Sequence, residues 1–163
     1  MKNIDRKKQN LFEGQVALVT GAGRGLGQSI AIAYARSGAT VIAVSRTQSE
    51  LDRTAELIKN EKGNVEAIAA NIGDLSHLKS IFTYIEETYK RLDILVNNAA
   101  ILPLKLFEFM NDEEIAENFQ INLIAPVYTC KFAAEIINDS EKIICITPSI
   151  KEELISRIDS DNL

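Results

Sequence analysis

The sequence predicts an α/β fold: a doubly wound parallel sheet of about five strands with helices on both faces. Three observations predict it. Short aliphatic runs alternate with longer amphipathic ones along nearly the whole chain. The short runs are continuously apolar and β-branched, as strands covered on both faces require. The longer runs carry apolar residues at helical spacing, so each strand leads into a crossover rather than a hairpin. Right-handed crossovers then restrict the topology to a doubly wound sheet.

The elements follow in order. "QVALVT" (15–20) reads as a buried strand. The spacing of Leu26, Ile30, Ala33 and Tyr34 predicts a helix over 25–37. "TVIAVS" (40–45) is a second buried strand, and "SELDRTAELIKN" (49–60) a helix with Ser49 as its N-cap. "VEAIAA" (65–70) is a third strand. The helix over 76–90 places Leu78, Ile81, Phe82 and Ile85 on one face. "LDILVN" (92–97) is a fourth strand. A long helical stretch, 112–138, follows, with Pro126 as the place for a bend. "KIICIT" (142–147) is a fifth strand. "PSIKEELISRIDSDNL" (148–163) reads as a short terminal helix and tail. The expected organisation is a flexible extension over 1–10, one nucleotide-binding domain over 11–147 and the tail.

Composition narrows the function. The chain has 163 residues, 46% apolar and 25% charged, enough for one domain with a core. A formal charge of -5 argues against nucleic acid as a partner. No apolar run has the length of a membrane span, and "MKNIDRKKQN" lacks the apolar stretch of a signal peptide. These features predict a cytoplasmic protein with no membrane partner. Cys130 and Cys145 are too few for a disulfide framework and read as free thiols. His77 is the only histidine, which leaves poor material for a metal site or a Ser-His-Asp triad. It is expected on a helix surface, and no metal site is expected.

"VTGAGRGLG" (19–27) packs four glycines into nine positions between the first strand and its helix. Ligands of open parallel sheets bind beyond the carboxyl ends of the strands. Glycines there let the backbone turn tightly and approach a ligand, and the helix offers bare N–H groups to a pyrophosphate. A tight structural turn is the plainer alternative. No Gly-Lys-Ser/Thr follows, so the loop is not a P-loop.

The spacing is Thr20-Gly21-x-x-x-Gly25-x-Gly27, with Arg24 and Leu26 between the glycines. Asn97-Asn98-Ala99-Ala100 follows the fourth strand, and Asn71-Ile72-Gly73-Asp74 the third. Asn122 stands in "FQINLIAP". On these four matches, spread over roughly 11–147, the chain resembles the short-chain dehydrogenase/reductase family, a Rossmann-type fold. The resemblance implies an oxidoreductase that passes hydride between a nicotinamide dinucleotide and an alcohol or carbonyl. It implies cofactor contacts from Gly21, Arg24, Gly25, Leu26, Gly27, Ser45, Arg46, Asn71, Ile72, Asn98, Ala99 and Ala100. Asn122 would support the active site through a backbone kink. Two positions depart from the family pattern: Asn71 replaces an Asp, and Ala100 replaces a Gly that the ribose approaches.

The second strand ends in Ser45-Arg46 with no carboxylate at its tip. NAD sites usually place an Asp or Glu there, whereas a guanidinium suits a 2′-phosphate. Arg24 reaches the same region, so NADP(H) is favoured over NAD(H). Two solvated surface arginines are the plainer reading.

The resemblance also calls for a Tyr followed four residues later by Lys, and a Ser after the fifth strand. Tyr34, Tyr84, Tyr89 and Tyr128 are followed at that distance by Gly38, Thr88, Asp93 and Phe132. The pair is absent. Pro148 takes the serine's place, with Ser149 one residue late. Ser149 and Glu152 also fit a capping box for the terminal helix, so Ser149 is either a cap or a catalytic serine. The chain is incomplete relative to the family and reads as truncated. Three functions stay open: an NADP(H)-dependent oxidoreductase by descent, a catalytically inactive NADP(H)-binding module with a regulatory role, and an interaction protein. The 112–138 stretch resembles the element through which the family pairs its subunits, which implies a homodimer.

Overall fold

The computed structural model describes residues 11–103 and 105–145. The extension over 1–10, residues 146–147 of the fifth strand, and the terminal helix with Ser149 lie outside the described residues.

Strands β1 (Val16–Thr20), β2 (Thr40–Ser45), β3 (Asn64–Ala69), β4 (Leu92–Asn97) and β5 (Ile137–Cys145) form one sheet in the order β3-β2-β1-β4-β5. Every pairing is parallel. Helices α1 (Gly25–Arg36), α2 (Gln48–Asn60), α3 (Leu75–Tyr89), α4 (Asp112–Phe119) and α5 (Ala125–Ile136) make the crossovers. Strand order reverses between β1 and β4. That switch point opens a crevice above their carboxyl ends, and it positions the site.

Strand alternation splits the core in two. Val16, Leu18, Ile42, Val44, Leu92 and Leu95 pack with α3 and α5, including Leu78, Ile81, Phe82 and Ile85. Ala17, Val19, Val41, Ala43, Ile94 and Val96 face α1 and α2. All five residues of β1 are buried, as are all six of β4. His77 lies exposed on α3. Among the described residues, no helix is long and apolar enough to cross a membrane.

Several local expectations change. The buried face of α1 is Gly27, Ala31 and Ala35, while Leu26 is 58% exposed. Small residues every fourth position bring this helix close to the sheet, which turns Leu26 outward. Helix α2 begins at Gln48 with Thr47 as N-cap, so Ser49 lies inside the first turn. Thr47 N–H donates to the Ser45 hydroxyl at 3.3 Å, a local turn that starts the helix early. Strand β3 is half exposed because it is a sheet edge, paired only with β2 among the described residues. Asp74 caps α3 by accepting from Ser76 N–H at 2.8 Å. The Ser76 hydroxyl and N–H hold its carboxyl below the usual aspartate range.

The 112–138 stretch is not one helix. A π-helical turn, Gln120–Ile124, separates α4 from α5, so the irregularity precedes Pro126. Helix α5 ends at Ile136, and β5 begins at the next residue instead of at 142. Between Leu92↔Ile137 and Ile94↔Lys142, two steps of β4 face five of β5, so a bulge absorbs the polar residues that read as a loop.

At the amino ends of the central strands, Val16 N–H donates to the Asp93 carboxylate at 2.7 Å. Arg91 grips the same carboxylate, which is almost wholly buried. Asp93→Ala should lower the unfolding free energy by about 2–4 kcal/mol, because a buried N–H and a cation lose their acceptor. Urea denaturation of both proteins measures this, and an unchanged midpoint would contradict it.

Candidate functional site

The glycine loop runs from the end of β1 to the start of α1. Gly21 has φ +67°, in the left-handed region, and a Cβ there would lie 2.8 Å from the Ala99 Cα. Gly27 has no room for a Cβ against the Gly21 carbonyl and the Asn98 amide. A glycine is needed at both positions, for conformation at one and for close approach at the other. Helix α1 starts without a side-chain cap and with no acidic residue in its first turn. Its first amides and its positive dipole end therefore remain available to an anion.

Thr20 and Asn98 fix this loop against β4. The buried Thr20 hydroxyl donates to Val96 O at 3.2 Å. It accepts from Asn98 N–H at 3.0 Å and Ala99 N–H at 3.1 Å. Asn98 Nδ2 donates to the carbonyls of Thr20 (3.1 Å) and Gly21 (3.3 Å). Asn97 turns the other way, accepting from the Thr129 hydroxyl on α5 at 2.7 Å.

The loop borders a cavity of about 400 Å³ at the switch point. Of the residues singled out from the sequence, Gly21, Arg24, Gly25, Ser45, Arg46, Ile72, Asn98, Ala99 and Ala100 line it. Leu26, Gly27, Asn71 and Asn122 do not. Leu26 projects outward, and Gly27 is packed behind the loop. Asn71 Oδ1 accepts from Gly73 N–H at 3.0 Å, so its side chain shapes its own turn. Asn122 sits in the π-helical turn, where Oδ1 accepts from Ile101 N–H at 2.9 Å and Nδ2 donates to Ile101 O at 2.7 Å. It thereby holds the segment after Ala100 from behind.

Charge concentrates at one side of the mouth. Arg24 pairs with Glu50 at 3.7 Å, and Arg46 with Glu117 at 3.3 Å. No tyrosine lines the cavity among the described residues. Burial pushes Tyr34 above its usual value, and burial with Tyr84 and Glu66 nearby pushes Tyr89 up to about 12. Neither fits proton exchange near neutral pH.

The structure adds residues the motifs did not reveal. Gly23 is crowded by Ser45 and Glu50 and also lines the cavity, with Thr47, Ala70, Ile101 and Ile121. Thr54 is fully buried on α2, and its one hydroxyl proton is within reach of the loop carbonyls of Ala22 (3.0 Å) and Gly23 (3.2 Å) and of the Glu50 carbonyl in its own helix (3.1 Å). It accepts from Gln28 Nε2 at 2.9 Å. The only sequence signal for it was a polar residue on the apolar face of an amphipathic helix.

A family model described as short chain dehydrogenase matches residues 15–152. The chain is 30% identical over 130 residues to the 3beta-hydroxysteroid dehydrogenase of Mediterraneibacter gnavus, covering 79% of this chain and 47% of that protein. A short-chain dehydrogenase/reductase double mutant of Serratia marcescens superposes with TM-score 0.81 at 28% identity, over 86% of this chain and 58% of its own. A metagenomic short-chain oxidoreductase in complex with NADP gives TM-score 0.75 at 29% identity, over 78% and 58%. The chain spans about half the length of the curated relatives it matches.

Thr54→Val keeps the shape and removes the hydroxyl. It should cost about 1–2 kcal/mol of stability, since the buried Ala22 carbonyl loses a donor and the Gln28 amide an acceptor. Chemical denaturation tests this, and no measurable loss would mean the loop is held by other contacts.

Proposed function

This chain belongs to the short-chain dehydrogenase family of oxidoreductases, and on that premise we propose that its cavity holds NADP(H) in preference to NAD(H). The observation that carries the reading is the cavity's make-up. Loop amides and an uncapped helix start lie at one side, and Arg24 and Arg46 stand at the mouth beside the tip of β2. The residues fit the group. The pyrophosphate would take the amides between Gly21 and Gly27, helped by the dipole of α1. Ser45, Arg46 and Arg24 would hold the 2′-phosphate by charge-assisted hydrogen bonds. Ile72 would cover the adenine, with Asn71 shaping the turn behind it. Asn98, Ala99 and Ala100 would border the second ribose. Asn122 would fix that border through its two bonds to the Ile101 backbone.

When bound, the nicotinamide supplies hydride chemistry toward an alcohol or carbonyl. This chain's own residues bind and orient it. The 163 residues contain no Tyr-x-x-x-Lys pair to exchange the substrate's proton. For this polypeptide as such, the proposal is therefore binding without appreciable turnover, as a nucleotide-binding module of an oxidoreductase family.

Calorimetric titration with each nucleotide should give NADPH a Kd about tenfold or more below that of NADH, as expected for a charge-assisted phosphate contact. Arg46→Asp should reverse the order. Equal affinities, or a folded sample that ignores both nucleotides at millimolar levels, would sink the reading.

We also propose a homodimer through the 112–136 stretch. Phe119, Leu123 and Val127 recur every fourth residue and are 57%, 53% and 58% exposed, an apolar stripe suited to a second copy. Leu123→Asp should convert the dimer to monomer in sedimentation velocity with the helical circular dichroism unchanged. A parent chain that sediments as a monomer at micromolar concentration would overturn this.

A further inference from the structure

Arg46 leaves the carboxyl end of β2, and Glu117 stands on α4, 71 residues away. Arg46 Nη1 donates to Glu117 Oε1 at 3.3 Å, so the pair ties the β2 side of the cavity mouth to α4. Both side chains are more than half exposed, at 57% and 55%. An exposed pair of this kind is weak and exchangeable, not a structural lock. Among the described residues, Glu117 makes no other ion pair. The start of α4 is closed by Asn111, which accepts from Glu114 N–H at 2.9 Å while the Glu114 carboxylate accepts from Asn111 N–H at 2.9 Å. Lys105 pairs with Glu114 as well.

The guanidinium that Glu117 holds is one of the two assigned above to a phosphate. A carboxylate and a phosphate cannot both take the same fork without repelling each other. We infer that Glu117 is a specificity-determining residue that acts through Arg46: its carboxylate competes with the 2′-phosphate and so sets how strongly the site prefers NADP(H). The inference rests on the NADP(H) reading of the cavity and deepens it. The competition weakens the phosphorylated nucleotide alone, because NAD(H) places no anion at Arg46. It follows that the natural preference is moderated from within the chain, by a carboxylate outside the glycine loop and its motif.

The test is Glu117→Gln, which keeps size and helix propensity and removes the charge. NADPH affinity should rise about threefold to tenfold at low salt, and NADH affinity should stay put. The gain should shrink as ionic strength rises. In an Arg46→Gln background, Glu117→Gln should change nothing, and Glu117→Asp alone should stay near the parent. An equal gain for both nucleotides, or the same gain without Arg46, would overturn the inference. No gain in a parent that prefers NADPH would overturn the competition and leave the NADP(H) reading standing. A parent with no preference for NADPH removes both.

Discussion

The site depends on one hydroxyl. Thr20 ends β1, and its side chain accepts the two N–H groups that follow β4 while donating to the last carbonyl but one of that strand. The ladder sets Val19 opposite Val96, and this hydroxyl carries the same level past the strand ends into the two loops. With the ends clasped, Asn98 reaches the carbonyls of Thr20 and Gly21, and the glycine loop has a fixed point of departure. The crowding at Gly27 is the consequence. A loop pinned this tightly presents amides in one arrangement, and preorganised amides are what a bound phosphate needs, because the ordering cost is met during folding.

The supports behind the cavity work on the same principle. Thr54 and Gln28 hold the loop from the α2 side. On the far side, the π-helical turn aims Asn122 at the Ile101 backbone, where its amide is satisfied at both ends. Gln120, in the same turn, donates to Gly73 O at 3.0 Å and ties the β3–α3 connection to it. A regular helix has one residue fewer per such turn and would rotate these side chains away from both partners. The mouth, by contrast, carries two ion pairs, Arg24–Glu50 and Arg46–Glu117, whose arginines are exposed and whose contribution to stability in water is small.

Much of the fold was legible in the sequence. The five aliphatic runs, the order of elements and the buried face of α3 follow from period and composition, since a strand covered on both faces keeps an unbroken apolar centre, as at 41–44 in β2 and 94–96 in β4. The glycine spacing and the Asn-Asn pair marked the cavity, because close backbone approach leaves a residue-type signature. The misreadings share a cause. Leu26 and Ser49 were placed by local pattern, yet neighbours decided both: the tight seat of α1 on the sheet and the Ser45–Thr47 turn before α2. The early start of β5 was hidden in polar residues that a bulge accommodates.

By itself, then, the sequence determined the layered sheet, the place of its switch point and the residue types at the cavity, because these follow from periodicities of two and 3.6 and from the unique freedom of glycine. Only the tertiary structure decided which carboxylate meets which guanidinium. Glu50 and Glu117 carry no motif, and Thr54 looks like a misplaced polar residue until α2 docks under the loop. Pairings between residues 26 to 71 positions apart depend on how helices seat against the sheet, and one-dimensional spacing carries no record of that.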